Sequence, residues 1–166
     1  MQTLDSTAPV RRPLTAVRSI LLGTLTVGSL DGLDAIVFFG LRGVNPGRLF
    51  QGIASGLLGP AAFRAGPSTV ALGVFLHYFI AFGIVITYHF VSRRAPALIR
   101  RPLVYGPLYG VLVYLIMNLL VIPLSALTRS PLSLPLVANG LFIHMAGVGL
   151  PAALFARASN LPALKT

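Results

Sequence analysis

Two aspartates, Asp31 and Asp34, lie inside an apolar run from Ser19 to Leu41, and they are two of only 3 acidic residues in the chain. An ionised carboxylate at the centre of a bilayer costs about 2.5 to 3.5 kcal/mol, so each side chain must be protonated, paired or hydrated. Carboxylates within about 6 Å of each other disfavour double ionisation, and a nearby histidine exchanges protons near neutral pH. The pair therefore predicts a protonatable or ion-binding site.

The composition is typical of a membrane protein. Of the 166 residues, 55% are hydrophobic and 10% are charged, and the mean hydropathy is +0.86. A water-soluble domain does not have this composition. The formal charge of +10 comes from arginines at the ends of apolar runs and not from a basic stripe in a polar domain, so we expect no nucleic-acid partner. The chain has no cysteine, which excludes disulfides and thiolate metal sites.

Four apolar runs are each long enough to cross a bilayer, because about 20 helical residues span a hydrocarbon core of about 30 Å. The sequence therefore predicts an all-α integral membrane protein, a single domain over residues 1–166 whose four transmembrane helices form a bundle. The helices are expected near residues 17–41, 69–92, 103–127 and 136–156.

The basic residues outside these helices predict the orientation. Nine lie in the N-terminal tail with its flank, the second loop and the C-terminus, and four lie in the first and third loops. Cytoplasmic loops carry the excess of lysine and arginine, so both termini are expected in the cytoplasm. The first group is Arg11, Arg12, Arg18, Arg93, Arg94, Arg100, Arg101, Arg157 and Lys165, and the second is Arg42, Arg48, Arg64 and Arg129.

The first loop contains an uncharged segment from Leu49 to Phe63 that is too short to span the membrane. Asn45 is a good N-cap and Pro46 a good first helical residue, which predicts a short helix near 46–59. Two interpretations remain open: an interfacial helix on the outer leaflet, or a re-entrant hairpin that lines a cavity.

Polar residues of all four helices are expected in one layer. At a rise of about 1.5 Å per residue, they lie about 10 to 15 Å from the outer helix ends. Polar side chains in lipid turn towards the bundle interior, so this layer is expected to be a buried proton or ion site. Its members are Asp31, Asp34, His77, Asn118 and His144. Arg48, in the first loop, is the nearest arginine that could fold back as a counter-charge.

Two other interpretations of the layer stay open. Buried Asp, His and Asn side chains often serve only as hydrogen-bonding links between helices, worth about 0.6 kcal/mol per contact. Alternatively, His77 and His144 lie at equal depth on different helices, an arrangement compatible with a haem-binding or metal-binding membrane protein. We expect no bound cofactor, because the ligands lack any local signature spacing.

Enzyme signatures such as a Walker loop, a dinucleotide-binding glycine pattern or a zinc-protease motif are absent from the sequence. The expected function is therefore non-enzymatic: a membrane-embedded binding, transport or assembly subunit.

The glycine pairs Gly52/Gly56 and Gly106/Gly110 have the four-residue spacing that lets helices approach closely. We expect these faces to be exposed, which favours a homo-oligomer or a place in a membrane complex. Pro123 is expected to kink the third helix near its outer end.

Several short motifs occur in a fixed order between residues 25 and 157. They are Asp34 late in the first helix, Pro46 with Arg48 just outside it, His77 to Tyr88 in the second helix, Ile122-Pro123-Leu124 at the end of the third, and His144 followed by Gly147 in the fourth. This order resembles the YagU-like family of small bacterial inner-membrane proteins. The resemblance implies a bacterial inner-membrane location and little about chemistry.

The predicted orientation is directly testable with topology reporters. A reporter fused after Thr166 and one inserted within residues 128–134 are expected on opposite sides of the membrane, because four helices precede the first position and three precede the second. Activity of both reporters in the same compartment would contradict the four-helix topology.

Overall fold

The computed structural model describes residues 13–127 and 133–160, and these described residues form helices and short connections without a β-strand. Four helices are long and apolar enough to cross a membrane, so the protein is an all-α multi-pass membrane protein, as predicted. Of the residues in the orientation count, Arg11, Arg12, Arg129 and Lys165 lie outside the described part of the chain. The helices are α1 (Ala16–Gly40), α2 (Pro46–Leu58), α3 (Pro67–Arg94), α4 (Pro96–Arg100), α5 (Pro102–Leu124) and α6 (Leu134–Ser159).

Local signals explain where these helices begin. The Asn45 side chain accepts a hydrogen bond from the Arg48 N–H at 2.9 Å and caps α2, and Pro46 is its first residue, as predicted. Proline also begins α3, α4 and α5, because a first-turn residue needs no N–H donor. The five-residue helix α4 was not predicted, since its length carries no periodic signal.

Most of the surface of the four long helices is apolar and outward-facing. In their most apolar stretches, between 17% and 33% of the residues are buried inside the protein. Leu33, Phe79 and Leu119, for example, are exposed and project from three different helices. An apolar surface of this extent is unfavourable in water, which agrees with lipid as the surrounding solvent.

Helices α5 and α6 are in backbone contact through glycine. A Cβ atom added at Gly110 would collide with the carbonyl oxygen of His144, and one added at Gly149 with that of Gly106. The Gly106/Gly110 face is therefore occupied within the chain and is not exposed for a partner. The sequence showed the glycine face but not the complementary Gly149 on α6, so the expectation that this face is free was wrong.

Helices α3 and α5, in contrast, do not pack closely against each other. Helix α1 packs against α3 and α6, and α6 packs against α5, which leaves a seam between α3 and α5. The Tyr109 hydroxyl bridges this seam by donating a hydrogen bond to the Ile84 carbonyl at 2.8 Å. The Tyr88 and Tyr109 rings also meet edge to face, with centroids 4.9 Å apart.

Helix α2 crosses one end of the bundle. Near its start, the Phe50 backbone lies directly against Gly73 of α3. Near its end, the Gly56 carbonyl accepts a hydrogen bond at 2.8 Å from the N–H of Ala126, just beyond α5. A six-residue 3₁₀ helix (Gly59–Arg64) then returns the chain to α3. Helix α2 thus covers the space between α3 and α5 at this end.

Both α5 and α6 widen into a π-helical turn, at Met117–Val121 and His144–Gly149. In each turn a backbone N–H donates to the carbonyl five residues back, from Ile122 to Met117 and from Leu150 to Met145. Proline follows directly in both helices, at 123 and 151. A proline ring clashes with the carbonyl four residues earlier, and a wider turn relieves this clash. At Pro123, where a kink is expected from the sequence, the structure has a π-helical turn just before the proline.

The α5–α6 contact predicts a matched pair of glycine variants. Gly149→Ala is expected to destabilise the protein by about 1 to 3 kcal/mol, because the added methyl group forces two backbones apart. At Gly83, by contrast, an added Cβ meets nothing within 4 Å, so Gly83→Ala is expected to leave stability unchanged or raise it slightly. The measurement is the thermal unfolding midpoint in detergent micelles. Equal midpoints for Gly149→Ala and the wild type would show that the close contact does not exist.

Candidate functional site

A cavity of about 220 Å³ lies at the centre of the bundle and is partly open to its surface. Polar side chains of the predicted layer line it from four helices, and Ile53 of α2 closes it from one end. These polar residues are Asp31 of α1, His77 of α3, Asn118 of α5 and His144 of α6. The structure therefore brings together four of the six predicted site residues.

The close approach of α1 to α3 positions His77. A Cβ at Gly28 would lie 2.6 Å from the Tyr78 ring, and one at Gly32 would lie 3.2 Å from His77 Nε2. Since neither glycine carries a Cβ, His77 Nε2 reaches the Gly28 carbonyl oxygen at 2.7 Å. A carbonyl oxygen only accepts, so this contact assigns the hydrogen to Nε2.

The second nitrogen of His77 faces a carboxylate. His77 Nδ1 lies 3.9 Å from Asp31 Oδ2, and the Asp31 side chain remains 29% exposed towards the cavity. This distance exceeds that of a direct hydrogen bond, which is about 2.7 to 3.2 Å. With Nε2 protonated, neutral His77 carries a lone pair on Nδ1, so a nitrogen lone pair faces a carboxyl oxygen across a gap.

His144 has a related arrangement on α6. Its Nδ1 lies 2.9 Å from the Gly140 carbonyl oxygen one turn earlier, which assigns the hydrogen to Nδ1 and leaves a lone pair on Nε2. The ring packs edge to face on Tyr114, with centroids 5.4 Å apart. His144 and His77 line the same cavity as Asp31. Each histidine is thus fixed by one backbone carbonyl.

Asp34 lies apart from this cavity cluster. Its Oδ2 accepts a hydrogen bond of 2.7 Å from the side-chain amide of Asn139 on α6. Asn139 was not among the predicted site residues. Counting helical rise from the expected start of the fourth helix at residue 136 places it only about 4.5 Å deep, outside the layer expected at about 10 to 15 Å, so the depth argument missed it. The two aspartates share a helix but have different partners.

Asn118 and Arg48 complete the predicted set. Asn118 lies in the π-helical turn of α5, lines the cavity and donates from its amide to the Tyr114 carbonyl at 3.0 Å. Arg48 is exposed at the start of α2, and its guanidinium carbon lies 4.6 Å from the centre of the Phe63 ring. Among the described residues no arginine forms an ion pair with either aspartate. Arg48 therefore does not supply the expected counter-charge.

The haem and metal interpretation does not fit this geometry. Within residues 13–127 and 133–160, no three His, Asp or Glu side chains lie close enough together to hold a metal ion. The cavity is also smaller than the pockets of about 300 to 1,000 Å³ that enclose organic ligands. His77 Nε2, the atom through which this histidine would bind a haem iron, is already hydrogen-bonded to the Gly28 carbonyl oxygen.

Comparison of the chain with models of known protein families, with curated proteins and with solved structures finds no match. The resemblance to the YagU-like family therefore stays a prediction from short motifs.

The Asp34–Asn139 contact predicts a specific energetic coupling. A double-mutant cycle with Asp34→Ala and Asn139→Ala is expected to give a coupling of about 0.6 to 1.7 kcal/mol in the free energy of unfolding, since each single change removes the same hydrogen bond. The control cycle pairs Asp31→Ala with Asn139→Ala and is expected near zero. Equal coupling in both cycles would mean that Asn139 does not distinguish the two acids.

Proposed function

We propose that the protein is a non-enzymatic membrane-embedded binding and transport subunit that takes up a proton between Asp31 and His77. The observation that carries this proposal is the 3.9 Å gap between Asp31 Oδ2 and His77 Nδ1 in the central cavity. The chemistry of these two atoms determines what occupies the gap.

Two acceptor atoms facing each other repel unless something positive lies between them. The hydrogen bond to the Gly28 carbonyl keeps the hydrogen of His77 on Nε2. Moving this hydrogen to Nδ1 would relieve the repulsion but would break that hydrogen bond. A proton on either group converts the contact into a neutral acid–base pair or an ion pair.

The contrast with Asp34 favours a functional role for Asp31. Asp34 already has a hydrogen-bond donor at 2.7 Å, which suits a permanent link between α1 and α6. Within the described part of the chain, Asp31 has no hydrogen-bond donor at that distance, yet leaving it ionised and unpaired in a membrane costs about 2.5 to 3.5 kcal/mol. An acidic side chain that is kept in the membrane despite this free-energy cost, next to a cavity and two histidines, is typical of a proton-exchange or ion site rather than of packing.

The surroundings of the cavity also support binding rather than catalysis. Its lining contains no serine, cysteine or lysine nucleophile beside the histidines. Phe50 packs edge to face against His77, with centroids 6.2 Å apart, and Ile53 lies over the cavity. Helix α2 thus limits access from its end of the bundle, as expected for a site that admits only small species.

We further propose a bacterial inner-membrane location with both termini in the cytoplasm, and assembly as a homo-oligomer or with another membrane protein. The nine-to-four distribution of basic residues supports the orientation. For assembly, a Cβ added at Gly52 would meet nothing within 4 Å, so α2 retains a free small-residue position for a second helix.

Asparagine variants of the two acids test the proposed site. Asp31→Asn is expected to abolish the carboxylic-acid C=O band that titrates in infrared difference spectra, and to reduce potential-driven proton flux into liposomes to the protein-free level. Asp34→Asn is the matched control and should retain both signals, because an amide still hydrogen-bonds to Asn139. The flux assay uses an entrapped pH-sensitive dye and a potassium gradient with valinomycin.

Either of two outcomes would contradict the proposal. The first is wild-type protein with neither a titrating carboxyl band nor flux of protons. The second is an Asp31→Asn variant that is indistinguishable from the wild type, which would make the polar layer a purely structural link between helices.

A further inference from the structure

A second cavity, of about 360 Å³, lies in the seam between α3 and α5 next to α4, and it shares no lining residue with the central cavity. Its walls carry no charged side chain, and its volume is in the range of about 300 to 1,000 Å³ that encloses ligands. Three of its lining residues, Val91, Leu108 and Leu112, are exposed, so the cavity opens sideways as a groove on the outer surface of the bundle. We call it the lateral groove.

The walls of the lateral groove are held in place and made apolar by internal hydrogen bonds. The Tyr88 hydroxyl donates to the Leu98 carbonyl of α4 at 3.1 Å, and the Tyr109 hydroxyl donates to the Ile84 carbonyl of α3. Both phenols therefore present ring surface to the groove while their polar atoms are satisfied. The groove exists in the protein before any ligand is bound.

Four exposed arginines lie close in the chain to residues that line the α4 end of this groove: Arg93, Arg94, Arg100 and Arg101. Each follows or precedes a groove-lining residue by no more than about one helical turn, or roughly 6 Å along an axis. Within the described residues the acids are Asp31 and Asp34, both in the central layer, so no described acid neutralises these arginines.

From this juxtaposition we propose that the lateral groove binds an anionic phospholipid, with an acyl chain between α3 and α5 and the phosphate at the four arginines. Guanidinium groups form charge-assisted, often bidentate hydrogen bonds with phosphate oxygens. Basic pockets between membrane helices bind anionic head groups by the same chemistry. The apolar walls and the basic rim match the two parts of one lipid molecule.

A second copy of the chain fits the lateral groove less well than a lipid does. Copies inserted in one membrane share an orientation, so docking at this groove would bring two sets of four arginines to the same level. Like charges in such proximity repel, and the described residues near the groove offer no acid to offset them.

The test is native mass spectrometry of the full chain in detergent, titrated with phosphatidylglycerol and with phosphatidylcholine of the same acyl chains. The wild type is expected to bind phosphatidylglycerol preferentially. The double variant R100Q/R101Q should lose roughly thirtyfold in phosphatidylglycerol affinity, because each basic residue near a membrane surface contributes about a factor of five. The control R42Q/R64Q removes the same charge at the opposite end and should keep the affinity.

A second pair of variants tests the apolar part of the site. Leu108→Trp fills the lateral groove and is expected to reduce lipid binding, whereas Leu103→Trp, at an exposed α5 position outside the groove lining, is not. Equal affinity for the two lipids, or full binding by R100Q/R101Q, would overturn the proposal. So would displacement of the lipid by glycerol phosphate alone, which would indicate a phosphate site, and a change of oligomeric state in Leu108→Trp with unchanged lipid binding, which would indicate a protein contact.

Discussion

A carboxylate in hydrocarbon raises the free energy of a membrane protein unless it finds a proton, a donor or water, and this chain carries two carboxylates on one helix. The arrangement of the other helices follows from this requirement. Helix α6 brings Asn139 to Asp34, while α3 brings His77 close to Asp31. One acid is thereby fixed in a permanent hydrogen bond. The other is left next to a cavity, with His77 Nδ1 too far away for a direct hydrogen bond.

Glycine makes these approaches possible in a solvent that supplies no hydrophobic drive between helices. On α1 the absence of side chains at Gly28 and Gly32 lets Tyr78 and His77 approach, and the Gly28 carbonyl that His77 reaches decides which nitrogen carries the hydrogen. Between α5 and α6, Gly110 and Gly149 allow the backbones to touch. The bundle is consequently tight between α5 and α6 and loose between α3 and α5. Both cavities lie along the loose seam.

Much of this could be predicted from the sequence, because the strongest signals are local. The length of each apolar run and the caps at Asn45 and Pro46 placed the long helices and α2 within a few residues of their observed ends. The shared depth of Asp31, His77, Asn118 and His144 predicted a common layer, and all four line one cavity. These features depend only on distances along single helices.

The rest depends on how helices rotate about their axes and pair with one another. The sequence predicts one site for Asp31 and Asp34, yet α3 brings a partner to the first and α6 to the second, which separates their roles. Arg48 was a plausible counter-charge by position in the chain alone, but α2 directs it towards Phe63. The partnership of Gly110 with α6 has no signal on α5 itself, since the complementary glycine lies on another helix.

The π-helical turns add a constraint on which sequences can build this bundle. A π turn is equivalent to one residue inserted into an α-helix, and each residue of an α-helix rotates the chain by about 100°. In α6 this offset sets the angle between the polar side that carries Asn139 and the small-residue side that carries Ala152 and Ala156 in the core. Deleting one residue from His144–Gly149 would barely alter hydropathy or length, but it would turn one half of the helix away from its partners. The rotation of one half of the helix relative to the other, and not its apolar character alone, therefore limits the sequence variation that this membrane protein tolerates.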